Sequence, residues 1–331
     1  MKTGTLAPLL QRFFTDRLRG QLGASSHTVA SYRDTFRLLL QFAANRLAHE
    51  PSELDVETLD ASFLVLFLEH LESERGNCTR SRNNRLAALH AFFRYVAVGE
   101  PALALHCQRV LAIPAKRCER GVVAFLTEDE TAALLKAPDI TTWIGRRDRV
   151  LLHIAVQTGL RNTELCSLRR HDVELGTGAH VRCLGKGRKT RCTPLRADTA
   201  SLLKEWLSEQ CADPGLPVFP SCRGGALSAD ALQRLVARHT ATALRSCPSL
   251  KAKTVTPHTL RHTAAMDLLR RGVNLSVIAL WLGHESTDTT QIYLHADMAL
   301  KERALARVTE NGATADRYRP SDALRSFLEG L

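Results

Sequence analysis

Several absences narrow this sequence before any motif is read. It has no run of about 20 apolar residues, the length a helix needs to cross a bilayer. The opening MKTGTLAPLLQRFF has no long apolar core and no small-residue cleavage site, so no signal peptide is expected. The nine cysteines (Cys78, Cys107, Cys118, Cys166, Cys183, Cys192, Cys211, Cys222 and Cys247) are scattered and odd in number, and they form no CxxC pair. That pattern argues against a disulfide framework or a zinc site and for reduced thiols. There is no P-loop, no acidic cluster with metal-site character, no internal repeat and no low-complexity tract. These absences predict a soluble protein of the cytoplasm.

The 331 residues suffice for two domains with cores of their own. A hydrophobic fraction of 44% and a charged fraction of 24% place the chain among ordinary globular proteins. The net charge of +11 and pI near 9.5 suit a polyanionic partner. Charge alone leaves a merely soluble basic protein equally open.

Residues 1–115 read as helices. Leu6 to Leu18 carries one apolar face, and Ser25 and Ser26 open a second helix with Val29, Tyr32, Phe36 and Leu39 on one side. Asp60 caps a third helix and Thr79 a fourth, whose Leu86, Leu89, Phe92, Phe93 and Val96 face a core. The fourth begins with Arg80, Arg82 and Arg85 among short polar residues, groups that reach phosphates and base edges. A solvated helix end is their plainer reading. Residues 116–122 read as a basic linker.

The second domain is expected over 123–310, with a tail at 311–331. Thr127 and Glu130 form a capping box. A buried helix over Asp148 to Gln157 is broken at Thr158 and Gly159, and Arg161 opens the next turn, followed by Glu164 and Leu165. Residues 179–195 alternate apolar and polar on both sides of Gly185–Gly187, which predicts a β-hairpin. Lys186 sits at its tip between two glycines, with Lys189 as the competitor should the register differ. Arg188 and Arg191 are read as backbone contacts or solvated side chains.

The richest stretch is Thr256 to Ala296, where His258, Arg261 and His262 precede Leu282, Gly283 and His284, with Tyr293 nine residues further on. Thr263 to Arg271 has helical periodicity ending at Gly272, and Asn274 caps a helix ending at Gly283. A short helix is expected over Thr289 to Tyr293, capped by Ser286. His258 and His262 superficially suggest a metal pair. They lack the glutamate of HExxH and any third ligand, so no metal and no cofactor is expected, and His262 reads as structural.

In this order the residues resemble the tyrosine recombinases, the phage-integrase family. The family's signatures are T-G-L-R with a Glu-Leu pair, a hairpin lysine, H-x-x-R-H, L-G-H and a tyrosine nine residues beyond. The resemblance implies a mainly α (α+β) chain. It would have an N-terminal helical core-binding, SAM-like domain and a catalytic domain, mostly helical with a small antiparallel sheet. It implies phosphoryl transfer without a metal. Tyr293 would be the nucleophile, and Arg161 and Arg261 would hold the non-bridging oxygens with help from His284. His258 would assist proton transfer, Lys186 would protonate the leaving 5′ oxygen, and Glu164 would orient the site. Arg80, Arg82, Arg85 and Lys189 would contact DNA. The implied partners are double-stranded DNA at paired sites, further copies in a tetramer, and a related recombinase, with no membrane. Singly, each residue has a bland reading, such as surface decoration for Lys186 or helix packing for Tyr293. Two rivals share the chemistry or the fold: a type IB topoisomerase and a DNA-binding accessory factor without activity.

Overall fold

Local capping signals set many of the helix starts. A computed structural model describes residues 5–47, 50, 53–118, 123–185, 190–284 and 290–293. The chain divides into two units, Met1–Arg120 and Gly121–Leu331.

In the first unit, α1 (Leu6–Arg12) runs into a π-helical stretch (Phe13–Gln21), followed by α2 (Ser26–Leu47), α3 (Ala61–Ser73), α4 (Thr79–Gly99) and α5 (Ala104–Leu111). The Asp60 carboxylate accepts from the Phe63 N–H and starts α3. Cys78, not Thr79, occupies the cap position of α4. The apolar stripes of these helices meet in one core, where Phe13 and Phe36 each pack edge-on against Phe92 at 5.5 and 5.2 Å between ring centroids. The stretch after α4 adds a fifth helix to the four whose starts and apolar faces were read from the sequence. Pro101 opens a short 3-10 turn, and Cys107 and Val110 then bury the inner face of α5.

In the second unit, α6 (Glu128–Lys136) is held by the expected Thr127–Glu130 capping box. Next come α7 (Trp143–Thr158), α8 (Asn162–Ser167), β1 (Val173–Glu174), β2 (His180–Leu184), β3 (Thr190–Pro194), α9 (Ala197–Ser208) and α10 (Ala229–Ala243). α11 (Pro257–Arg270) and α12 (Leu275–Leu282) follow. α7 is buried through Val150, Leu151, Leu152, Ile154 and Ala155 and forms the centre of the main core. The sheet is antiparallel in the order β1-β2-β3, with Leu184 opposite Thr190 and His180 opposite Pro194. The alternation read at 179–195 is therefore this β2–β3 hairpin, to which β1 adds a short third strand. Among the described residues no helix is long and apolar enough to cross a membrane.

Candidate active site

α7 ends at Gly159, whose φ of +63° favours glycine. A Cβ there would also stand 2.6 Å from Leu282 Cδ2, so this turn brings α7 against the end of α12. Arg161 then caps α8. Its backbone N–H donates to Glu164 Oε2 at 2.7 Å, while its Nη1 donates to Glu164 Oε1 at 2.9 Å.

α11 begins six residues earlier than the apolar period suggested. Thr256 caps it and Pro257 occupies its first turn. His258, Arg261 and His262 therefore share one helical face at i, i+3 and i+4 spacing. The Arg261 guanidinium, only 2% exposed, donates to Gly159 O and to Leu282 O, both at 2.7 Å.

The last carbonyls of α12 tie the cations together. Arg191 Nε donates to Trp281 O at 3.2 Å, Arg261 Nη2 to Leu282 O, and Arg161 Nη2 to Gly283 O at 2.8 Å. Three successive carbonyls at a helix C-terminus, where orphan acceptors and the negative end of the helix dipole coincide, thus seat three guanidiniums. Glu164 bridges two of these cations, accepting from Arg191 Nη1 and Nη2 at 2.9 and 2.7 Å as well as from Arg161. Burial acts to raise the Glu164 pKa, but its bonds to Arg191 and Arg161 outweigh burial and hold it at about 2. Burial and the nearby Arg161 push Arg261 down to about 10, which leaves it cationic at neutral pH.

His284 follows Gly283, and its Nδ1 lies 2.8 Å from the hydroxyl of the buried Thr290. Burial, then Arg261 and Arg161, pull its pKa to about 4, so the ring is neutral at ordinary pH. Tyr293 is 1% exposed and packs among Ala265, Met266, Leu269, Ile278 and Leu282 between α11 and α12. Burial raises its phenol to about 12 against the pull of Arg261. His262 Nδ1 lies 3.0 Å from the Tyr293 hydroxyl. His258 keeps an open ring surface, yet the protein around it and the charges of Arg261 and Arg161 lower its pKa.

The structure thus gathers Arg161, Glu164, His258, Arg261, His284 and Tyr293 around the ends of α7, α11 and α12. Lys186 and Lys189 lie outside the described residues, as does Ser286. The three arginines at the start of α4 separate. Arg80 is exposed. Arg85 Nη1 is bound to Ser31 O and Thr35 Oγ1 at 3.1 Å each, tying α4 to α2. Arg82 is 5% exposed and donates to Pro114 O at 3.1 Å. In that position Arg82 anchors the chain after α5 instead of reaching outward. Asn83 assists it, exchanging amide bonds with the backbone of Lys116 at 2.7 and 3.1 Å.

Sequence reasoning missed Arg191 and Thr290. For Arg191 the signal was present: it lies on β3 where the strand period points toward Glu164, but only the tertiary contact shows that it is not solvated. Its side chain is 12% exposed and that of Glu164 5%. Arg191→Ala would leave that carboxylate buried with one partner fewer, so a loss of about 3–5 kcal/mol in a urea melt is expected. A loss under about 1 kcal/mol, the worth of a surface ion pair, would contradict this placement.

Residues 124–299 match the phage integrase family and residues 11–98 match the phage integrase N-terminal SAM-like domain. Over its full length the chain is 53% identical to the putative integrase/recombinase y4rC of Sinorhizobium fredii, covering 99% of that protein. It is 34% identical to the tyrosine recombinase XerC of Xylella fastidiosa, over 88% of this chain and 93% of that one. Among solved structures its fold is similar to the Tn1549 transposon integrase in complex with a circular intermediate DNA, at a TM-score of 0.68 and 18% identity. That alignment covers 92% of this chain and 99% of the other.

Proposed function

This chain belongs to the phage integrase family of tyrosine recombinases, and on that premise we propose that it cuts and rejoins DNA at short paired sites through a 3′-phosphotyrosyl intermediate on Tyr293. The observation that carries the reading is the seating of Arg161 and Arg261 on neighbouring carbonyls of α12, with Tyr293 packed on that same helix. Each guanidinium uses one N–H of Nη2 for a carbonyl and one of Nη1 for Glu164 or Gly159, leaving further N–H groups for an anion. Two such forks suit the non-bridging oxygens of a phosphodiester and the extra charge of its pentacoordinate transition state. Neutral His284 supplies another hydrogen bond from Nε2 when Thr290 donates to Nδ1.

In the step proposed, the Tyr293 oxygen bonds to phosphorus and gives its proton to a histidine of α11 as the bond from phosphorus to the 5′ oxygen breaks. Lys186 delivers a proton to that 5′ oxygen. Religation is the reverse step with a different 5′ hydroxyl, and no ATP is needed because the tyrosyl ester keeps the energy of the diester. We place the protein as a tetramer on two duplexes, with a related recombinase as a possible fellow subunit, in integration, excision, transposition or replicon resolution. The Tn1549 integrase in complex with a circular intermediate DNA supports DNA as the substrate class.

Denaturing capture of the protein on DNA in cells, followed by sequencing of the attached ends, tests this. Attachment at recurrent sites with free 5′ hydroxyls supports it. Absence of covalent DNA, or attachment through 5′ ends, overturns it, and relaxation of a site-free supercoiled plasmid by monomer favours a topoisomerase.

The part given to Lys186 has its own test. Lys186→Ala should fail on a normal substrate and recover on one whose bridging 5′ oxygen is sulfur, since a thiolate leaves without a proton. Arg161→Ala should not recover. Recovery of Lys189→Ala and not of Lys186→Ala would move the acid to Lys189, and recovery of neither would move it off the hairpin.

A further inference from the structure

The contact between His262 and Tyr293 has no counterpart in the roles given so far. On the same helical face, His258 stands one turn earlier, its ring centroid 4.3 Å from that of His262 and nearly perpendicular to it. Only the inner of the two rings reaches the phenol: His262 Nδ1 lies 3.0 Å from the Tyr293 hydroxyl, with the two rings edge to face at 5.5 Å. The tyrosine is sealed between α11 and α12 at 1% exposure, so bulk water cannot take its proton where it stands.

Resting on the recombinase reading, we propose that His262 is the base that receives the Tyr293 proton, and that His258 acts on His262 and not on the tyrosine itself. The protonation states fit this geometry. Burial, then His258 and Arg261, hold His262 at about 4, so at ordinary pH its ring is neutral. The phenol, pushed to about 12, keeps its proton until attack begins. An accepting Nδ1 places the ring proton on Nε2. A DNA phosphate on Arg161 and Arg261 brings a negative charge beside the pair, which favours the imidazolium. As the Oη–P bond forms, the O–H bond breaks and its proton passes to Nδ1. The bond to the 5′ oxygen breaks and takes a proton from the acid already described. On religation His262 returns the proton to Tyr293.

The alternative is that His262 only holds the ring in place. His262→Asn separates the two, because its Oδ1 can occupy the position of Nδ1 and accept the same hydrogen bond yet cannot carry the proton. The test uses the full chain, a nicked half-site substrate and single-turnover adduct formation. Wild-type adduct and none from Tyr293→Phe show that the underlying reading stands, so its failure is visible separately. With binding to the substrate unchanged, His262→Asn and His262→Ala should both slow cleavage by about 10²-fold or more. Imidazole in the buffer should restore part of the rate of His262→Ala. If His262→Ala does not bind DNA, site-specific 3,5-difluorotyrosine at position 293 of His262→Asn replaces that arm. Its more acidic phenol should raise the rate of the variant more than that of wild type. Near wild-type cleavage by His262→Asn overturns the proposal. So does the absence of rescue in the arm that is read, or rescue by imidazole of His258→Ala alone.

Discussion

Tyr293→Phe is expected to bind site DNA like the parent and to form no covalent adduct at any time point. The substitution keeps the ring, which is 1% exposed and packed between α11 and α12, and removes only the oxygen. The cost falls on His262, whose Nδ1 loses its partner at 3.0 Å. An unsatisfied group of this kind costs about 1–3 kcal/mol, too little to unfold a two-domain chain. The loss in cleavage, in contrast, is complete, since the substitution removes the attacking oxygen itself. A nicked suicide substrate and a denaturing gel decide the matter. A persistent adduct in the variant would place the nucleophile elsewhere.

Arg161→Lys and Arg261→Lys should each lower cleavage by about 10²–10³-fold although the charge is kept. The reason lies in how the arginines are held. Arg261 bridges Gly159 O and Leu282 O with separate nitrogens, and Arg161 bridges Glu164 and Gly283 O. One ammonium cannot seat itself on both anchors and also present a two-pronged donor to a phosphate. In Arg261→Lys it would also leave one of two buried carbonyls without its donor, so this variant should lose stability as well as rate. Single-turnover cleavage by either variant within about threefold of wild type, a difference under 1 kcal/mol, would remove that arginine from the proposed clamp.

Much of the fold was readable because its signals are local. The caps at Asp60, Thr127 and Asn274 act within three residues of themselves. The β2–β3 hairpin follows from alternation. What failed did so where function interrupts the pattern. The start of α11 carries Arg261 and His262 inward in place of apolar residues, so an apolar period places its beginning too late. The Thr256–Pro257 cap was the better signal. Arg82 and Arg191 illustrate a second limit. Both sit among basic neighbours and look solvated in sequence, and only the fold shows one bound to Pro114 and the other to Glu164. The candidate site residues were picked out by their order along the chain, while the anchor shared by Arg161, Arg191 and Arg261, the carbonyls of Trp281, Leu282 and Gly283, carries no side-chain signal at all.

The central claim is that Tyr293 becomes the covalent link to DNA, and mass spectrometry of the trapped complex tests it most directly. After nuclease and trypsin digestion, the peptide spanning residues 272–301, which Arg271 precedes and Lys301 ends, should carry a nucleotide joined through its 3′ phosphate to Tyr293. A nucleotide on any other residue, or one joined through its 5′ phosphate, would contradict the account.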